Sequence, residues 1–336
     1  MTNETTASQI QSERPGDTPE VSVIVNCYNE SRVVRETLDS VFAQTFQDWE
    51  IIFWDNASTD GSSEIAASYG EKVRCFRSET MVPLGRARKL AFDQTRGNFI
   101  AILDADDVWH PEKLERQLEL FNADPEVGMT YCDAIYFDDG GDRNQLFKLT
   151  TPHRGRVFGN LLARNFMFSS TMMFRRTALD GLGCAFDDRF ARAQDYDLTL
   201  RMAYHYAVDF VDAPLSKWRI NGLAEKPWKR SLQPREVEIK SSVDSLIASY
   251  PEIETKYSVE LASLNKDIDY ASGVNAWRDN SAAEARRHLA RHLPDKKFLL
   301  VYVCTFLVSC KFFYKIRVAY RNMTTGRRSK TGRRGA

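Results

Sequence analysis

Three carboxylates close a hydrophobic run in Leu103-Asp104-Ala105-Asp106-Asp107. Acidic side chains this near one another repel unless a cation or hydrogen-bond donors sit among them. Magnesium and manganese take carboxylate oxygens and complete their octahedra with water and phosphate oxygens. The cluster therefore has the make-up of a clamp for a cation-bound diphosphate. Taken alone, it suits a solvated acidic turn ahead of the helix opened by Pro111 equally well. A second acidic group, Gln194-Asp195-Tyr196-Asp197-Leu198, opens another helical stretch, where the positive end of the helix favours carboxylates whatever else they do.

Residues so far apart act together only if the chain brings them to one place. Val21-Ser22-Val23-Ile24-Val25 is a β-branched run followed by a polar break and a helical pattern through Val34, Leu38, Val41 and Phe42. Ile51-Ile52-Phe53-Trp54, residues 73–76 and Phe99-Ile100-Ala101-Ile102-Leu103 repeat the strand signal, with helical stretches around Ile65 and over residues 85–95 between them. Strand and helix alternating with short links predict a parallel, doubly wound α/β sheet. Ligands of such sheets sit beyond the carboxyl ends of the strands. Those ends carry residues 26–30, 55–60 and 104–107, so three polar clusters are expected on one rim. Further on, the pattern predicts a helix from Pro111 through Phe121, strands over 129–135 and 172–174, a loop over 138–142 and a helix over 194–206. Residues 149–164 are hard to read, and helices dominate from residue 236.

The pieces in order resemble the family-two inverting glycosyltransferases of the GT-A fold, over about residues 21–225. Val21-Ser22-Val23-Ile24-Val25-Asn26-Cys27-Tyr28-Asn29-Glu30 is similar to that family's first strand and nucleotide-binding turn. Asp55-Asn56-Ala57-Ser58-Thr59-Asp60-Gly61 is similar to its second motif. Ala87-Arg88, then Arg96-Gly97-Asn98-Phe99 and residues 103–107, resemble its central block, and the stretch from Gln194 its acidic motif before a helix. Four pieces in order at compatible spacings make the resemblance specific. It implies a GT-A-type doubly wound, mostly parallel sheet with a helical C-terminal extension. Composition adds a Thr-, Ser-, Glu- and Pro-rich lead and an apolar, then basic, end. Together they give the expected division: a disordered lead over 1–20, the GT-A domain over 21–230, a helical extension over 231–297, and an apolar helix with a basic tail over 298–336.

The resemblance also implies roles. Asp55 accepts a hydrogen bond from a uracil imide N–H, Tyr28 stacks on the base, and Asn26 contacts the nucleotide. Arg88 offers its guanidinium fork to the diphosphate or to the acidic cluster. Asp104 binds ribose or metal, Asp106 ligates a manganese or magnesium ion bridging the phosphates, and Asp107 caps the next helix. Asp195 is the expected base, taking a proton from the acceptor hydroxyl as it attacks the anomeric carbon. The bland alternatives are a turn aromatic for Tyr28, backbone capping for Asn26, a surface helix arginine for Arg88, and helix-dipole carboxylates for Asp195 and Asp197. Two departures bear on this. Gln194 stands where the family usually has Glu, and Asn221 where many members have a His over the donor.

Composition narrows the rest. A hydrophobic fraction of 43% excludes global disorder, and 46 basic against 46 acidic residues exclude a general affinity for nucleic acid. From Lys296 onward there are 11 basic residues and no acidic one, leaving residues 1–295 at 35 − 46 = −11. Residues 298–310 carry no charge, too short a run for a span of about twenty apolar residues. An interfacial helix with Lys311, Lys315, Arg317 and Arg321 facing anionic lipid fits better, and a buried terminal helix is the alternative. Six cysteines without CxxC spacing point to a reducing compartment, and the first twenty residues lack the apolar core of a signal peptide. The expected setting is the cytoplasm, at the inner face of the cytoplasmic membrane. The expected partners are a UDP-linked sugar donor and a saccharide or lipid-linked acceptor. A nucleotidyltransferase is a rival, though it wants a Gly-rich loop after the first strand; a non-catalytic sugar-nucleotide-binding scaffold is another.

Overall fold

Runs rich in β-branched and aromatic residues, each bounded by a polar turn, form strands, and the amphipathic stretches between them form helices. The structure, a computed structural model, describes residues 18–220, 234–293, 295–307 and 310. The first half alternates strictly: β1 (Val21–Cys27), α1 (Val34–Phe42), β2 (Trp49–Asp55), α2 (Ser62–Ala67), β3 (Val73–Arg77), α3 (Leu84–Phe92) and β4 (Phe99–Asp104). There follow β5 (Val108–Trp109), α4 (Lys113–Ala123), β6 (Val127–Asp138), β7 (Gly141–Gln145), α5 (Leu146–Leu149) and α6 (Phe158–Ala163). A 3-10 turn (Ser169–Thr171) leads into β8 (Met173–Arg175), α7 (Arg176–Gly181), α8 (Gln194–His205) and β9 (Ala207–Arg219). Among the described residues five helices follow: α9 (Arg235–Ser249), α10 (Glu252–Lys256), α11 (Ser258–Arg278), α12 (Ala282–Ala290) and α13 (Lys296–Leu307).

The sheet order is β3-β2-β1-β4-β8-β6-β9-β5, with β7 paired to β6. β3, β2, β1 and β4 are mutually parallel, as the alternation predicts, and β6 runs parallel to β9. β8, β5 and β7 join antiparallel. Residues 138–142 are not a plain loop. Asp138 pairs with Gly141 and closes a β6–β7 hairpin.

Alternate residues on the central strands face opposite layers. Val21, Val23, Val25, Ile51, Phe53, Ala101 and Leu103 enter the core beneath α1 and α4. Ile24, Ile52, Ile100 and Ile102 enter the other, with Ala87 and Ala91 of α3, Leu198 of α8 and Val243 and Leu246 of α9. The helices beginning at Arg235 thus share the core of the sheet. The boundary expected between residues 230 and 231, the lead over 1–17, Asn221 and the basic residues 311–334 lie outside the described residues.

At the amino ends of the parallel strands, away from the acidic rim, a buried glutamate holds the sheet together. Glu50 accepts hydrogen bonds from Ser22 Oγ (2.7 Å), Arg74 Nη1 (3.0 Å), and the Nε (3.1 Å) and backbone N–H (3.0 Å) of Arg96. Arg96 and Gly97, part of the motif block that suggested a nucleotide enzyme, serve structure here. A Cβ on Gly97 would stand 2.5 Å from the Ser22 nitrogen, so the close approach demands glycine. Burial would raise the Glu50 carboxyl, but the donors from Ser22, Arg74 and Arg96 bring it below the ordinary glutamate value of 4.5. With the folded-state value below the unfolded one, this stabilisation is complete above pH 4.5 and fades as pH falls through the folded value. Glu50→Gln should therefore lower the unfolding free energy at pH 7 by about 2 kcal/mol, with the deficit shrinking in acid. Urea denaturation at pH 7 and pH 3.5 measures both; a constant deficit at the two pH values would disprove the linkage.

Candidate active site

The parallel register brings the three polar clusters to one rim. Cys27 lies opposite Asp55 and Asn26 opposite Asp104, so the turns after β1, β2 and β4 stand side by side. The first two turns are laced into one unit. The Asn29 N–H donates to Ser58 Oγ (2.9 Å), the Thr59 N–H to Asn29 Oδ1 (2.7 Å), the Glu30 N–H to Ser62 Oγ (3.0 Å) and the Ser31 N–H to Asp60 Oδ2 (2.8 Å). Asn29 and Ala57 take left-handed backbone conformations, at φ of 56° and 68°, to make these turns. Asp55 anchors the unit: Oδ1 accepts the Ser58 N–H (2.9 Å), while Oδ2 accepts from Ser63 and pairs with Arg77 (2.9 Å). Half-buried Tyr28 sits on the β1 turn between them. Both polar atoms of the Asn26 side chain are buried without a hydrogen-bond partner. Backbone capping is thus not what Asn26 does, and an unspent donor and acceptor lie beside Asp104.

Arg88 is no surface arginine. It is 1% exposed and its guanidinium ties three elements together. Nη2 donates to Asp104 Oδ1 (2.6 Å), and Nη1 to Ser169 Oγ (3.1 Å) and Gln194 Oε1 (2.6 Å). The bond to Gln194 ties the start of α8, on which Asp195 also stands, to the end of β4. Asp195 is half-buried and accepts the N–H of Tyr196 (2.8 Å). Asp197 is buried and engaged by Arg201 (2.6 Å) and by Ser242 Oγ (2.7 Å), so its carboxylate is spent on structure.

The three aspartates of the cluster differ. Asp107 does not cap α4, as the sequence suggested. It is buried, and accepts from Ser170 Oγ and from the Arg219 N–H (2.9 Å). Burial pushes its carboxyl well above the ordinary aspartate range, and the charges of Asp104 and Asp106 push the same way. Asp104 is partly exposed and Asp106 half-buried. Arg219, which sequence reasoning passed over, braces the loop from behind: Nε donates to the Asp106 carbonyl (2.9 Å), Nη2 pairs with Glu36, and the guanidinium lies 4.3 Å from the Phe137 ring centre. Ser169 and Ser170, which line the cluster, come from a segment with no strand or helix periodicity to announce them.

Among the described residues no three His, Cys, Asp or Glu side chains are grouped to hold a metal ion. With Asp107 buried, Asp104 and Asp106 are the cluster's partly exposed carboxylates and the ones that could hold a cation. Two carboxylates fit a magnesium or manganese ion that shares its remaining positions with phosphate oxygens and water, and the unspent side chain of Asn26 lies next to them.

The family model for glycosyl transferase family 2 matches residues 22–183. An uncharacterized glycosyltransferase of Methanocaldococcus jannaschii is 29% identical over 210 residues, 61% of this chain and 72% of its own. The amylovoran biosynthesis glycosyltransferase AmsB of Erwinia amylovora is 30% identical over 190 residues, 54% of this chain and 62% of its own. The fold is similar to that of S. aureus TarS 1-349 in complex with UDP-GlcNAc, with a TM-score of 0.55 and 17% identity, covering 90% of this chain and 92% of the other. It is also similar to the mannosyltransferase PcManGT from Pyrobaculum calidifontis in complex with GDP-Man and Mn2+, with a TM-score of 0.57 and 21% identity, covering 92% and 86%.

Replacing Arg88 by Met keeps much of the volume but removes the donors that satisfy buried Gln194 and Ser169. The expected loss is about 2 kcal/mol of stability, since unsatisfied buried groups cost more than a bond contributes. An unchanged urea midpoint for Arg88→Met would show that the guanidinium does not hold these elements together.

Proposed function

From the premise that this chain belongs to glycosyl transferase family 2 and carries the GT-A fold, we propose that it moves one sugar from a UDP-linked donor to a hydroxyl acceptor, with inversion at the anomeric carbon. One observation carries the reading. Arg88 bonds Asp104 and Gln194 together, which supports a site in which Asp195, next to Gln194, works with a carboxylate pair able to hold a diphosphate through a cation. The laced turns bearing Tyr28 and Asp55 offer the nucleoside end. Among the described residues Asp55 Oδ1 accepts a hydrogen bond from the Ser58 N–H, and a second acceptor position on that oxygen suits a uracil imide N–H, with Tyr28 stacking on the base.

Inversion takes one displacement. The acceptor oxygen attacks the anomeric carbon, its proton passes to the Asp195 carboxylate, and the bond from that carbon to the diphosphate oxygen breaks on the opposite face. A carboxylate is far too weak a base to deprotonate a free alcohol, so proton transfer is concerted with attack. The chain's contribution is position: α8 presents Asp195, and Arg88 keeps α8 against β4. A bound divalent cation, held by Asp104 and Asp106, would neutralise the charge building on the departing diphosphate. Asn26 would hydrogen-bond the nucleotide or its ribose. The absence of a Gly-rich turn after β1 disfavours the nucleotidyltransferase rival.

The surface of α13 supports a membrane setting. Phe298 and Val301 pack on Trp277 and Leu289, while Leu300 (59% exposed), Phe306 (61%) and Leu307 (74%) face outward with Leu299 and Val303. Positions 299, 300, 303, 306 and 307 recur at helical spacing, so they form one apolar stripe. No helix among the described residues is long and apolar enough to cross a membrane. A helix half packed and half bare, opening on Lys296 and Lys297 and followed by a run with no acidic residue, suits the anionic surface of a bilayer. It would bring the site to a saccharide or lipid-linked acceptor at the inner face of the cytoplasmic membrane, in polysaccharide or glycolipid assembly.

Two substitutions separate binding from chemistry. Asp106→Ala should abolish the manganese-dependent thermal stabilisation by UDP-sugar. Asp195→Asn should keep donor affinity within about threefold of the parent while transfer falls on the order of a hundredfold. A scaffold without catalysis would bind UDP-sugar and release no UDP. Ordinary turnover by Asp195→Asn would take that residue out of the mechanism.

Charge on the bare stripe tests the membrane address. The pair Leu300→Glu and Phe306→Glu should cut cosedimentation with vesicles containing anionic phosphatidylglycerol by about tenfold or more, given about 25 cal/mol per Å² of apolar surface. The melting temperature should hardly move, both side chains being exposed. Binding equal to that of the parent would place the contact elsewhere or remove it.

A further inference from the structure

Helix α8 begins without a cap of its own. Its N-cap residue is Ala193, whose side chain offers no acceptor, although the first amides of a helix have no partner within it. A carboxylate from another helix instead holds the turn that leads into it, up to the N-cap amide. Glu238, on the first turn of α9 and 4% exposed, accepts the N–H of Ala191 (3.1 Å to each oxygen), of Arg192 (2.7 Å) and of Ala193 (2.8 Å). Three successive amides and the positive end of a helix converge on one buried anion. The next turn of α9 adds the bond from Ser242 to Asp197.

The same segment is gripped from the other side by α3. The Gly85 N–H donates to the Phe190 carbonyl (2.8 Å), and a Cβ on Gly85 would stand 2.2 Å from the Asp187 oxygen and 2.5 Å from that of Phe190. Residues 187–193 thus lie between the helix that carries Arg88 and the helix that carries Glu238. Among the described residues, Asp195 accepts its one hydrogen bond from its own neighbour, Tyr196. Its aim is therefore set by the main chain of the turn, and the main chain is held by Glu238.

We propose that Glu238 is a positioning residue for sugar transfer: by holding the amides of residues 191–193 it aims Asp195, which makes the C-terminal helices part of the catalytic apparatus. This rests on the reading of Asp195 as the base. Glu238 needs no contact with donor or acceptor for the role, so its removal should lower turnover while leaving donor recognition alone.

The test uses the full chain with Glu238→Ala and Glu238→Gln, the second keeping one accepting oxygen at nearly the same volume. Glu238→Ala should lower kcat by about tenfold, with the donor KM within about twofold, and Glu238→Gln should recover part of the loss. Amide hydrogen exchange at Ala191, Arg192 and Ala193 should speed up in both, which reports the anchor without reference to activity. Placed in an Asp195→Asn background, Glu238→Ala should cost less than about twofold further, because the two changes act through one group. Faster exchange with unchanged kcat would leave Glu238 a structural cap and overturn the proposal, as would a full tenfold loss in the Asp195→Asn background. Should Glu238→Ala fail to fold, the kcat of Glu238→Gln decides alone. A parent protein that transfers no sugar while keeping these amides protected would defeat the reading of the site and leave the anchor standing.

Discussion

An arginine does not give up its proton, so a chain that buries one must supply acceptors around it. Arg88 is surrounded in this way by Asp104, Ser169 and Gln194, and those three residues belong to β4, to the turn before β8 and to α8. Each element would otherwise meet the rim independently. The guanidinium makes their placement one event, since losing any acceptor leaves a buried charge short of a partner. Gln194 is part of this economy. As a neutral amide it satisfies a donor without adding a negative charge next to Asp195.

Around that centre the rim is divided by position along the sheet. β2 and β1 carry the laced turns with Asp55 and Tyr28, β4 leads into the carboxylates, and α8, which begins with Gln194 and Asp195, is tied to β4 through Arg88. The carboxylates are sorted by burial rather than by sequence. Asp104 and Asp106 keep contact with solvent, whereas Asp107 is drawn inward, where Ser170 and Arg219 tie it to the end of β9. Three neighbouring aspartates thus become two groups suited to a cation and one that fastens a loop. Arg219 completes that fastening through the Asp106 carbonyl.

Resemblance to a family does not distribute roles evenly over its motifs. Arg96 and Gly97 belong to the same matching block as Asp104, yet they sit at the other end of the strands, engaged with Glu50 and Ser22. They keep β1, β2 and β4 in register, and the register in turn sets Asn26 opposite Asp104. A fold-holding motif and a chemical motif act on one geometry from opposite edges of the sheet.

The sequence by itself determined the alternation of strands and helices, the parallel half of the sheet and the rim on which Asn26, Tyr28, Asp55, Asp104 and Asp106 gather. These rest on local periodicity and on turn chemistry, both written in adjacent residues. It also marked Asp195, through an acidic helix start. What periodicity does not record is which distant side chains satisfy one another. The burial of Arg88, the inward turn of Asp107, the brace from Arg219 and the grip of Glu238 on residues 191–193 join positions that lie far apart in the chain. Each answers a requirement that arises only after packing, when a charge or an amide has lost its water and must find a partner. The half-bare face of α13 belongs to the same class, because which side of an apolar helix stays uncovered depends on what α11 and α12 bury.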